Sequence, residues 1–196
     1  MKNFVYLASQ SPRRRQLLEQ IGVHYELLLP TPEEDAEALE QALPGEAPLT
    51  YVQRVTLLKL EAAMTRLKTR SLAKAPVICA DTTVALGREI LGKPNNAQDA
   101  LRMLKKLSGK THRVLTAVAI GKGTQRVSAV SISSVTFAHM SLTEMKAYVA
   151  SGEPMGKAGA YGVQGLAAKH IAAIKGSYTG IMGLPVFEIA ELLKQI

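Results

Sequence analysis

The chain has 196 residues, 47% hydrophobic and 20% charged, which suffices to bury a full core as one domain and leaves no reason for disorder beyond loops. Its formal charge of +8 points to a polyanionic partner, yet with 5% aromatics and no tryptophan it lacks the basic and aromatic runs that stack on single strands, which weakens nucleic-acid binding. A single cysteine, Cys79, excludes an intramolecular disulfide and a multi-cysteine metal site, and no apolar run approaches the ~20 residues that cross a bilayer, so a soluble cytoplasmic protein is expected.

The first stretch sets the theme. Phe4 to Ala8 reads as a short apolar strand running through a serine-rich turn into a helix marked by Ser11 as N-cap and Pro12 at the first helical position. Three arginines, Arg13, Arg14 and Arg15, crowd the end of the helix that already carries partial positive charge, a mildly destabilising placement that calls for an offset. Free backbone N–H groups, the Ser9 and Ser11 hydroxyls and guanidinium forks together suit an oligophosphate. On a helical wheel Leu17, Leu18 and Ile21 define the buried face, so Arg13 and Arg14 are the candidate ligand groups and Arg15 a solvated charge. The plainer alternative is a basic helix start with no ligand.

His24 to Leu29 reads as a second strand, ended by Pro30-Thr31-Pro32. From Glu33 to Glu46 there are six acidic residues and no basic ones, read as a loop with a helical turn over 36–42. Thr50 then caps a long helix to about Thr69, whose apolar face gathers Tyr51, Val52, Val55, Leu58 and Ala62. Lys59 falls on that face, where it either snorkels to the edge or meets a ligand cleft.

Ala75 to Ala80 is a buried strand that breaks at Asp81-Thr82-Thr83 and resumes at Val84 to Leu86. A carboxylate at a strand break is well placed for chemistry; an Asx turn is the structural alternative. Ile90 to Pro94 reads as a loop, and Asn96 caps a helix from Ala97 to about Leu107. Thr111 to Ile120 and Gln125 to Phe137, joined by Gly121-Lys122-Gly123-Thr124, predict an antiparallel hairpin. Ser141 and Glu144 form a capping box for a helix to about Ser151. Four glycines between Gly156 and Gly165 permit close backbone approach to a ligand, though their order matches neither a P-loop nor a dinucleotide fingerprint. A strand near Ile171 to Ile174 and a helix from Pro185 to Lys194 close the chain, giving an α/β or α+β domain with one long mixed sheet.

Ala8-Ser9-Gln10-Ser11-Pro12-Arg13-Arg14, Ala80-Asp81-Thr82, Gly92-Lys93-Pro94, Leu107-Ser108-Gly109 and Gly159-Ala160-Tyr161-Gly162-Val163-Gln164-Gly165, in that order, resemble the Maf family of nucleoside triphosphate pyrophosphatases. The resemblance implies an elongated, two-lobed fold like that of the inosine triphosphate pyrophosphatases, with a cleft where nucleotide and a divalent cation, Mg²⁺ or Mn²⁺, meet. It implies hydrolysis between the α- and β-phosphates to a nucleoside monophosphate and pyrophosphate, in the dTTP and UTP branch, as a house-cleaning activity. A homodimer is compatible with it.

By position, the resemblance makes Arg13 and Arg14 the phosphate-binding pair, Lys59 and Lys93 the lysines near the phosphates, and Glu34 and Asp81 the carboxylates that would hold the metal. Asp81 is also the implied proton acceptor, and Arg13, Thr82 and Gln164 match positions tied to choice of base. Some relatives carry a metal-binding glutamate where this chain has Gly92, leaving Glu34 and Asp81, with Glu89 as a further candidate. The competing function is a nucleic-acid-binding or regulatory protein, suggested by the charge of +8 and by the family's link to arrest of septum formation.

Overall fold

The computed structural model describes residues 4–32, 34 and 38–196. Three strands carry the fold: β3 (Val77–Leu86), β5 (Thr111–Lys122) and β6 (Gln125–Phe137). β5 runs antiparallel to both of its neighbours, β3 and β6, and the expected hairpin joins it to β6. On one side β1 (Val5–Leu7) adds parallel to β3, and β2 (Tyr25–Leu27) adds parallel to β1. On the other side β7 (Ile171–Lys175) lies antiparallel to β6. The sheet order is β2-β1-β3-β5-β6-β7, with the short β4 (Glu89–Leu91) folded back on the far end of β3. The expected mixed sheet with flanking helices is therefore present.

Strand alternation decides which side chain meets which helix. Val77, Cys79 and Ala85 of β3 face the long helix α2 (Pro48–Thr69), packing on Leu60, Ala63 and Leu67 at one end and on Val52 and Val55 at the other. Ile78, Ala80 and Val84 face the larger core with Leu17 and Leu18 of α1 (Pro12–Gln20), Met103, Leu104 and Leu107 of α3 (Ala97–Leu107), Met145 and Tyr148 of α4 (Leu142–Ala150), and Ile189 and Leu192 of α6 (Val186–Leu193). Cys79 is wholly buried, and burial pushes its thiol up to about 12, so it acts as a small hydrophobe. Among the described residues no helix is long and apolar enough to cross a membrane.

Asn96 caps α3 and Ser141 with Glu144 closes the capping box of α4, as the sequence predicts. Several expectations need correction. β3 does not break at Asp81: the polar triplet stays hydrogen-bonded in register with Ala117, Thr116 and Leu115 of β5, because β-branched Thr82 and Thr83 suit a strand as well as valine does. Ile90 and Leu91 belong to β4 rather than to a loop, held by pairing with Val84 and Ala85. Helix α2 begins at Pro48, with Ala47 rather than Thr50 at its N-cap, since proline loses nothing at a first turn whose N–H groups are unpaired. Leu58 points outward, 40% exposed. Of the helical turn expected over 36–42, a 3₁₀ turn spans Ala38–Glu40, while residues 36 and 37 lie outside the described residues. A five-residue helix, α5 (Tyr178–Met182), escaped the sequence pattern altogether.

Candidate active site

A cleft of about 1000 Å³ opens between the start of α1, the face of α2, the middle of β3 and the loop before Tyr161. That is at the upper end of the size range for small-molecule sites. Its first wall is the arginine-bearing turn. Ser11 occupies the N-cap position of α1 without a side-chain cap; instead its N–H donates to Ser9 Oγ at 3.2 Å, which tightens the turn. Arg14 Nε donates to the Gly183 carbonyl at 2.7 Å and its Nη1 to Ser9 Oγ at 3.1 Å, while Arg13 Nε donates to the Met182 carbonyl at 3.3 Å. Among the described residues the terminal nitrogens of Arg13 and Nη2 of Arg14 have no hydrogen-bond partner. Both guanidinium groups are thus anchored by Nε to the end of α5 and keep free donors for a ligand. Burial lowers the pKa of each, which is the penalty an arriving anion would relieve.

The second wall joins α2 to β3. Asp81 lies in the same alternation as Cys79, so its carboxylate faces α2, where Lys59 projects from the helix into the cleft. Lys59 Nζ donates to Asp81 Oδ1 at 2.6 Å and to Glu40 Oε1 at 2.7 Å. The other oxygen of Glu40 accepts from Lys93 Nζ at 2.8 Å. Burial disfavours the charged form of Glu40, but Lys59 and Lys93 outweigh it and hold the carboxyl below its usual range. Burial together with Asp81 and Glu40 pushes the Tyr51 hydroxyl on the same wall up to about 12.

Glu34 lines the cleft too, with both oxygens taken by Arg66: Nε reaches them at 2.9 and 3.0 Å and Nη2 reaches Oε2 at 2.5 Å. That pairing keeps the Glu34 carboxyl below its ordinary range. Arg66 is buried and also donates to the Leu28 carbonyl at 3.0 Å, so it ties β2 to α2. Glu89 is drawn away by Lys106 at 2.5 Å and is not part of the cleft wall.

The third wall is the glycine-rich segment. Gly159 takes a left-handed conformation (φ +68°) and donates its N–H to the Gly92 carbonyl at 3.0 Å, stitching the segment to the end of β4. Tyr161 and Val163 line the cleft, whereas Gln164 is exposed and lies beyond the lining. The Tyr161 hydroxyl shares a 2.7 Å hydrogen bond with Nε2 of buried His112, and the two rings stack edge-on with Phe137. Thr82 points to the opposite side of β3 from Asp81, where its hydroxyl meets that of Thr116 at 3.0 Å.

The structure therefore brings Ser9, Ser11, Arg13, Arg14, Glu34, Lys59, Asp81, Thr82 and Lys93 to one cleft, and leaves Gln164 outside its lining. Sequence reading missed Glu40, hidden in an acidic stretch with no periodicity, and Lys157, whose ammonium donates to the Glu153 carbonyl from the cleft wall. It also missed Met182 and Gly183, which act through backbone carbonyls and so carry no side-chain signal.

Cations on two walls around a carboxylate suit a phosphorylated ligand, and the sequence agrees with known proteins along its length. Residues 4–196 match the family described as Maf-like protein. The chain belongs to the Maf family. A Polaromonas protein named dTTP/UTP pyrophosphatase is 64% identical over 192 residues, covering 98% of this chain and 95% of the relative. Proteins of the same name from Albidiferax ferrireducens and Cupriavidus pinatubonensis are 63% and 60% identical, covering 99% and 100% of this Maf chain and 97% and 98% of theirs. The Staphylococcus aureus Ham1 protein aligns with 69% of this chain and 72% of its own at 16% identity and a TM-score of 0.44.

Proposed function

We propose that this Maf protein hydrolyses dTTP and UTP to the monophosphate and pyrophosphate, a house-cleaning reaction of the cytoplasm. The observation that carries this reading is the placement of Asp81 in the middle of a cleft whose walls bear Arg13, Arg14, Lys59 and Lys93. A polyanion-binding surface for nucleic acid would not sink its cations beside paired carboxylates, and the relatives' shared name points to the triphosphates.

In this scheme the free guanidinium nitrogens of Arg13 and Arg14 take one end of the triphosphate and Lys59 and Lys93 the other. These donors stabilise charge that develops on the departing pyrophosphate, and for Arg13, Arg14 and Lys59 the anchoring to Met182, Gly183 and Asp81 means little reorganisation is needed at the moment of reaction. Asp81 accepts the proton of the attacking water, and Thr82 and Arg13, both in the cleft lining, bias the choice of base.

A divalent cation fits the donor set in a limited way. Among the described residues only Oδ1 of Asp81 is hydrogen-bonded, which leaves Oδ2 as a hard oxygen donor facing the cleft, whereas both oxygens of Glu34 are held by Arg66. No group of three or more His, Cys, Asp or Glu side chains among the described residues is assembled to hold a metal. Asp81 would hold Mg²⁺ or Mn²⁺ with substrate phosphates and water completing the shell, and Glu34 would join by exchanging an Arg66 contact. When bound, the ion neutralises phosphate charge and orients the attacking water.

The test is product analysis by ion-exchange chromatography after incubation with dTTP and divalent cation. Pyrophosphate and dTMP are the expected products. Orthophosphate and dTDP would place cleavage at the other anhydride and overturn the scheme.

A further inference from the structure

We infer that Glu40 is a positioning residue whose carboxylate stands in for a substrate phosphate in the free enzyme, holding Lys59 and Lys93 at working separation and competing with the phosphate for them. This rests on the assignment of those two lysines to the triphosphate. Each oxygen of Glu40 serves one ammonium, Oε1 to Lys59 at 2.7 Å and Oε2 to Lys93 at 2.8 Å, as two oxygens of one phosphate would. The two lysines come from different elements, Lys59 from α2 and Lys93 from the segment after β4, and Glu40 is the side chain that joins them.

The two lysines do not depend on Glu40 equally. Lys59 has a second anchor in Asp81 and keeps it when Glu40 leaves. Lys93 has a side chain 53% exposed and Glu40 as its one ion-pair partner among the described residues, so without a carboxylate there the flexible ammonium would sample solvent. Glu40 is itself held: the Tyr51 hydroxyl donates to its carbonyl at 2.8 Å, pinning the 3₁₀ turn to α2 and aiming the side chain inward.

The four charges balance, two carboxylates against two ammoniums. A phosphate group that arrives between the lysines must displace Glu40, which gives up two ion pairs. The same carboxylate is ready to return as pyrophosphate leaves. Glu40 thus weakens retention of product as well as of substrate, trading ground-state affinity for turnover.

The experiment is calorimetric titration of inorganic pyrophosphate into the protein with chelator present, comparing wild type with Glu40→Gln, Glu40→Asp and Glu46→Gln. Glu40→Gln keeps the size and removes the competing charge, so pyrophosphate should bind about three- to tenfold tighter and with steeper salt dependence. Glu40→Asp keeps the charge on a stem too short to span both lysines and should shift affinity in the same direction by less; it answers the question if Glu40→Gln does not fold. Glu46→Gln removes an equal charge from the same acidic stretch, but Glu46 pairs with Arg54 and should leave the affinity at the wild-type value. Unchanged or weaker binding by Glu40→Gln, or equal tightening by Glu46→Gln, would overturn the inference. Failure of wild type and Glu40→Gln alike to bind pyrophosphate would instead remove the lysines from the phosphate site, and with them the reading on which this inference rests.

Discussion

Lys59 Nζ and Asp81 Oδ1 meet at 2.6 Å in the centre of the cleft, a helix cation on a strand carboxylate. Contacts of this kind fix both partners, because β3 is hydrogen-bonded on both sides of Asp81 and α2 packs on β3 above and below the pair. The remaining oxygen of Asp81 is then presented to the cleft in one orientation, as a base or a metal ligand requires.

Replacing Asp81 with Asn keeps the shape and the Lys59 contact while removing basicity and most affinity for a hard cation. Loss of a general base costs about 10²–10⁴ in rate, so kcat for dTTP should fall by at least that order. The thermal midpoint should change little, since Lys59 retains Glu40 as a charged partner. Turnover near the wild-type rate would remove Asp81 from the chemistry.

Much of this site was legible residue by residue, and the reasons are local. Pro12 and the arginines announce a helix start with surplus charge, and Lys59 announces itself as a cation on a buried face. What the sequence misplaced was context. Asp81, Thr82 and Thr83 look like a break because three polar residues interrupt an apolar run, yet the strand continues and the polarity belongs to the surfaces it faces, Lys59 on one side and Thr116 on the other. Glu34 looks like a free carboxylate until Arg66, 32 positions along the chain, closes on it. Ion pairs between distant segments leave no periodic trace, which is also why Glu40 was invisible.

Gly159 tests how tightly the third wall is set. Its φ of +68° disfavours any L side chain, and a Cβ there would lie 2.8 Å from Val84 Cγ1 and 3.0 Å from Val84 Cβ. Gly159→Ala should therefore destabilise by about 2 kcal/mol or more, combining left-handed strain of roughly 1–2 kcal/mol with a clash that the packed strand cannot relieve. Gly123→Ala carries a similar φ of +57° with nothing within 4 Å, so it isolates the backbone share. At a chain of this size each kcal/mol is about 2–4 °C in Tm. Gly159→Ala should melt several degrees below Gly123→Ala and lose kcat/KM for dTTP as Tyr161 and Val163 shift; equal melting of the two variants would show that Val84 yields freely.

His112 links the pH response of the fold to the same wall. It is 2% exposed, with Nε2 2.7 Å from the hydroxyl of Tyr161, and burial pushes its pKa down to about 4. In the unfolded chain the imidazole takes up a proton near pH 6.5. Between those two values the unfolded state binds more protons than the folded one, so stability falls as the pH falls from about 6.5 to about 4 and this contribution levels off below. The full window is worth about 3 kcal/mol. His112→Gln keeps a polar partner for Tyr161 and cannot titrate. It should be less stable than wild type at pH 7.5, because it loses the edge-on contacts with Phe137 and Tyr161, yet it should lose about 2–3 kcal/mol less on going from pH 7.5 to 4.5. Urea unfolding at the two pH values gives the comparison directly. Parallel losses in both proteins would remove His112 as the source of the acid sensitivity in this range, since the paired carboxylates Glu34 and Glu40, held below their ordinary range, weaken the fold chiefly below about pH 4.5 as they protonate.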